Sequence, residues 1–100
     1  MIAVDKGYLK IVTDILTKYL PTHIVWAFGS RVCENPKKYS DLDIVIKTKA
    51  PLPVEIMAHL RDAFSESDLP FKVDVVDWSR ISKKFQKIIK EKYEVIQHPS

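Results

Sequence analysis

One hundred residues, 46% hydrophobic and 29% charged with only two glycines, describe a single globular domain over 1–100 and exclude low-complexity or disordered classes. The longest strictly apolar stretch, Ile24 to Phe28, falls far short of the ~20 residues of a membrane span, and the opening MIAVDKGYLK lacks a signal-peptide apolar core. A net charge of +3 suits an anionic ligand or acidic partner but not the dense basic stripe of a nucleic-acid binder.

The first predicted element is an amphipathic helix from Asp5 to Leu20, with Leu9, Val12, Ile15, Leu16 and Tyr19 on its core stripe. Asp5 caps it and Pro21 follows it. His23 is expected at the surface. Ile24 to Phe28 is β-branched and aromatic, a short buried strand that ends where Gly29 permits a tight turn and presents Ser30 at the strand end. Cys33, the single cysteine, excludes an intrachain disulfide and suits a reducing, cytoplasmic compartment. Residues 34–39 are polar and proline-broken, a loop; Arg31 before it and Lys37 and Lys38 within it lie near enough in sequence to the phosphate site to meet a phosphate, Arg31 being the best placed.

Leu42 to Ile46 forms the second strand, and its period of two sets Asp41, Asp43 and Val45 on one face and Leu42, Ile44 and Ile46 on the other. A proline-bearing connector leads to a helix from Val54 to Ser67 with Ile56, Met57, Leu60, Ala63 and Phe64 inward and His59 outward. A third strand, Phe71 to Val76, places Asp74 opposite its apolar face. Asp77 is expected to point away from Asp74 or to leave the sheet, and to cap the following helix, with Ser79 as a competing cap. That helix, Ser79 to Tyr93, turns Ile81, Phe85, Ile88, Ile89 and Tyr93 inward and its lysines outward. Glu94 to Gln97 adds a short extended tail. The sum is a small mixed α/β (α+β) sheet with helices on its apolar face and an open face carrying acids.

Two like-charged carboxylates pointing the same way raise each other's pKa, and a divalent cation removes that cost. Mg²⁺ is held by one or two carboxylates together with substrate phosphates, which Asp41 and Asp43 match. Backbone N–H groups at Gly29 and Ser30 would grip those phosphates. A nucleoside triphosphate with Mg²⁺ is therefore the expected ligand.

Gly29-Ser30, the segment 31–40, then Asp41-x-Asp43 flanked by apolar strands resembles the signature of the DNA polymerase beta-like nucleotidyltransferase superfamily, and the chain length resembles its minimal nucleotidyltransferase (MNT) branch. The resemblance spans about Ile11 to Tyr93. It implies a polymerase beta-like fold and a third carboxylate, Asp74, which with Asp41 and Asp43 would be catalytic and would hold two Mg²⁺ ions. Gly29, Ser30 and Arg31 would bind the triphosphate. The resemblance further implies ATP as substrate, AMP transfer to a tyrosine hydroxyl, a HEPN ribonuclease toxin as partner in a hetero-oligomer, and an antitoxin role. One departure stands out: many minimal members continue Gly-Ser with an Ala-Arg-Gly-like stretch, whereas Arg31 here precedes Val32-Cys33-Glu34, which puts nucleotide affinity and turnover in question. Two rivals compete with catalysis. One is a module that silences its partner by contact alone, and the other is a nucleic-acid-binding regulator, for which no recognition motif is present.

Overall fold

The computed structural model describes residues 4–32 and 41–98. Its elements are α1 (Lys6–Tyr19), β1 (Ile24–Phe28), β2 (Leu42–Lys47), α2 (Val54–Ser65), β3 (Val73–Asp77), α3 (Lys83–Glu91) and β4 (Glu94–Gln97), with short 3-10 turns at Gly29–Val32 and Trp78–Arg80. Asp5 caps α1 as expected, its carboxylate accepting from the Gly7 N–H at 2.8 Å. Val12 and Leu16 from that helix meet Met57, Leu60 and Phe64 from α2 over Val25, Ala27, Leu42, Ile44, Ile46, Val73 and Val75 of the sheet. Each fully buried aliphatic there contributes about 1.5–3 kcal/mol by leaving water.

The sheet order is β3-β2-β1-β4. β1 runs antiparallel to β2 and β4, while β2 and β3 are parallel, so the sheet is mixed. The tail expected after the last helix is therefore a paired edge strand. Gln97 anchors it, its side-chain amide donating to the Leu20 and His23 carbonyls at 2.7 and 2.9 Å. His23 is half-buried rather than superficial, with Nδ1 enclosed.

The chain after β3 departs most from expectation. β3 starts at Val73, not Phe71, and keeps Asp77 as its last residue. The Asp77 carboxylate caps the 3-10 turn by accepting from the Ser79 N–H at 2.9 Å, and α3 begins later, at Lys83, capped by Ser82 through the Phe85 N–H at 3.1 Å. With the helix shortened, Ile89 is buried but Ile88 is 54% exposed, contrary to its expected inward position. Tyr93 is partly exposed and lies flat on Trp26, ring centroids 3.9 Å apart.

The second sheet face is only partly open. Phe85 of α3 meets Phe28 of β1 edge-on at 5.7 Å, and Val45, on the same face as Asp43, is fully buried. α1 and α2 cover the apolar face, and α3 adds a cover beside the acids.

Candidate active site

β1 ends in a sharp change of direction. Gly29 takes φ +77, a left-handed conformation that side chains resist, and the Gly29–Val32 turn starts there. A Cβ built on Gly29 would collide with the Asp43 carboxylate, so the glycine also clears the space that the acid occupies. Asp43 pairs in register with Phe28 across β1 and β2, and with Asp74 across β2 and β3. In-register partners share a face, which sets Asp43 between the turn on one side and Asp74 on the other. Asp41 stands exposed just before β2.

Electrostatics mark the same cluster. Burial pushes the Asp43 carboxyl above the usual carboxylate range, and the charges of Asp74 and Asp41 push it further in that direction. Lys72 comes within 3.9 Å of Asp74, but both side chains are solvated and the pair is weak. The donor set is hard oxygen only, three mutually repelling carboxylates, and its chemistry fits Mg²⁺. Among the described residues no three His, Cys, Asp or Glu side chains close into a ready-made cage. Such an arrangement suits an ion that arrives with phosphate oxygens rather than a permanently caged one.

Ser30 is the second residue of the turn. Arg31 is 6% exposed, its guanidinium stacked 4.5 Å from the Phe71 ring centroid, so the residue marked as a phosphate contact is packed into the protein. Cys33, Lys37 and Lys38 lie outside the described residues.

Asp77 stands apart from the acid cluster. It is 3% exposed and accepts from the Leu52 N–H at 2.8 Å, the Ser79 hydroxyl at 2.7 Å and the Thr48 hydroxyl. Burial pushes its carboxyl up, but these hydrogen bonds outweigh burial and hold it below the usual range. It fastens the connector after β2 to the end of β3.

Periodicity alone did not reveal two features. Lys47, four residues beyond Asp43 at the end of β2, lies between the indoles of Trp26 and Trp78, its ammonium 4.2 and 3.5 Å from their centroids. Burial, then the Lys90 charge, lowers its pKa. The strand runs one residue further than its expected end at Ile46, which puts Lys47 in β2, and the tryptophans come from distant segments. The second feature is a cleft of about 600 Å³ between the C-terminal half of α2 and β3, with Asp74 on its wall.

Comparison with known proteins bears directly on this geometry. A family model described as "Polymerase beta, Nucleotidyltransferase" matches residues 10–99. The chain is 51% identical over 89 residues to the probable protein adenylyltransferase MntA of Haemophilus influenzae, covering 89% of this chain and 78% of that protein. Among solved structures, a toxin–antitoxin complex with AMP-PNP superposes with a TM-score of 0.74 at 19% identity, covering 92% of this chain and 74% of that one. A tri-AMPylated Shewanella oneidensis HEPN toxin in complex with MNT antitoxin gives a TM-score of 0.68 at 19% identity, over 93% and 71% of the two chains. At that identity the two structures establish the fold.

Proposed function

The chain belongs to the polymerase beta nucleotidyltransferase family, and from that premise we propose that it is an MntA-like protein adenylyltransferase, moving AMP from ATP to a hydroxyl on a HEPN toxin and acting as its antitoxin. The observation that carries this function is the in-register pairing of Asp43 with Asp74 beside the Gly29 turn. A cytoplasmic site of action accords with the reducing compartment suggested by the single cysteine. No helix among the described residues is long and apolar enough to cross a membrane.

In this mechanism Asp41, Asp43 and Asp74 would hold Mg²⁺, up to two ions, which would supply neutralisation of the triphosphate charge. The backbone of Gly29 and Ser30 grips the terminal phosphates at the start of the turn. Arg31 contributes by bracing that turn against Phe71. Asp74 orients the acceptor hydroxyl and draws off its proton. The hydroxyl oxygen bonds to the α-phosphorus, the α–β bridging bond breaks, and pyrophosphate leaves with the electron pair. Positioning and charge neutralisation supply most of the acceleration in such a displacement.

The test is transfer of label from α-labelled ATP to a HEPN toxin. The Asp41→Asn, Asp43→Asn double variant should retain the complex and lose transfer. Unchanged labelling by that variant would refute the assignment, and a stable complex without labelling by the parent would leave antitoxin action by contact alone.

A further inference from the structure

Charge is unevenly spread along the chain. Residues 80–92 carry Arg80, Lys83, Lys84, Lys87, Lys90 and Lys92 against the single acid Glu91, which leaves the rest of the chain net negative. The chain-wide charge of +3 conceals this concentration. At about 100° per residue, Lys83, Lys84, Lys87 and Lys90 of α3 fall within an arc of about 120°, opposite the buried Ile89 and along about 10 Å of helix axis. All four are exposed.

A flat aromatic surface adjoins the stripe. Tyr93, two residues past α3, is 38% exposed although its ring lies on Trp26 with centroids 3.9 Å apart and planes 15° from parallel. One ring face is closed, so the exposed area belongs to the other face and the rim. A ring that close leaves no room for a cation on the same side of Trp26, so the Lys47 ammonium, 4.2 Å from that indole, holds it from behind. Trp78 meets Trp26 edge-on at 5.7 Å and carries the Lys90 ammonium 5.7 Å from its own centroid, which ties the platform to the lysine arc. The platform is therefore set before any ligand arrives.

We propose that the outer face of α3 and the Tyr93 ring form a docking strip for single-stranded nucleic acid, the lysines meeting consecutive phosphates and Tyr93 stacking one base. Lysine is a mobile point charge that suits a phosphodiester chain, and an open ring accepts a base of any identity. A duplex is disfavoured because its bases already stack on one another and hide their faces. An anionic membrane is disfavoured because α3 turns its apolar side inward, Ile89 being buried and Phe85 packed on Phe28. An acidic protein segment shares the charge but has no base to stack, and this difference decides the test.

The probe is a fluorescent oligoadenylate of about 12 nucleotides, long enough for one such strip, titrated with the full chain in the absence of Mg²⁺ between ~50 and ~200 mM salt. Three or four neutralised phosphates predict a log–log salt slope of about −2 to −3. The Lys83→Ala, Lys87→Ala variant should flatten that slope by about 1.4. Tyr93→Ala should weaken binding about tenfold, the loss of one stacked base, while Tyr93→Phe binds as the parent does. No binding by the parent at ~50 mM salt would overturn the proposal. So would displacement of the oligoadenylate by poly-glutamate or inorganic polyphosphate at equal charge concentration, since either would show a surface for acidic chains without bases. Melting curves establish that the variants fold, and if Tyr93→Ala does not, the lysine pair and the polyphosphate competition still decide. The strip is independent of AMP transfer: the Asp41→Asn, Asp43→Asn variant should bind the oligoadenylate no more weakly than the parent. Loss of binding in that variant would place the oligonucleotide in the acid site and overturn the strip.

Discussion

Gly29 and Asp43 exclude any side chain at position 29: a Cβ there would collide with the Asp43 carboxylate, and the backbone has φ +77. Turn and acid are therefore one unit. Gly29→Ala should cost about 1–2 kcal/mol for the left-handed conformation alone, and it should also push Asp43 from its place. The expected result is a lowered melting temperature together with loss of Mg²⁺-dependent ATP binding, measured by calorimetry. Retention of full nucleotide affinity in a folded Gly29→Ala protein would show that the turn does not position the acid.

Asp43 is costly to keep ionised. Its folded pKa is raised, so the folded state carries a penalty above that pKa which disappears below the unfolded value of about 3.9. Asp43→Asn should stabilise the metal-free protein at pH 7, by about 0.5 kcal/mol after allowing for solvent screening, or a rise of about 2–4 °C in melting temperature. The difference between variant and parent should shrink toward zero as pH falls to about 4. Mg²⁺ with ATP should raise the melting temperature of the parent and leave the variant nearly unmoved. Thermal scans with and without the ion check both statements.

Asp77 behaves in the opposite sense. Its folded pKa is held low, so its stabilisation is present above the unfolded value and is lost as pH falls through the folded one. Asp77→Ala strands the Thr48 and Ser79 hydroxyls and the Leu52 N–H. The expected loss is about 2–4 kcal/mol in chemical denaturation at neutral pH, narrowing in acid. Asp77→Asn, which keeps one acceptor oxygen, should lose less.

The alternation of Leu42, Ile44 and Ile46 against Asp43, repeated by Val73 and Val75 against Asp74, made both strands and their acid faces legible, because a period of two is a local property. Their parallel, in-register pairing was only conditional in the sequence, since register depends on α2 carrying the chain back across the core. The start of α3 was misjudged for a related reason. Asp77, Ser79 and Ser82 are all good caps, and long-range bonds to Thr48 and Leu52 draw Asp77 into the core before the helix can begin. Arg31 is a candidate phosphate contact by its closeness in sequence to Gly29 and Ser30. Its burial against Phe71 joins segments whose proximity no local spacing encodes. The Lys47 clamp was hidden in the same way, since Trp78 reaches Trp26 only through the tertiary fold.

The most direct test of AMP transfer is the intact mass of a HEPN toxin after incubation with this chain, Mg²⁺ and each of the four nucleoside triphosphates in turn. A gain of one or more AMP units with ATP, absent with the Asp41→Asn, Asp43→Asn variant, is the predicted result. An unmodified mass alongside a stable complex of the two proteins would contradict it.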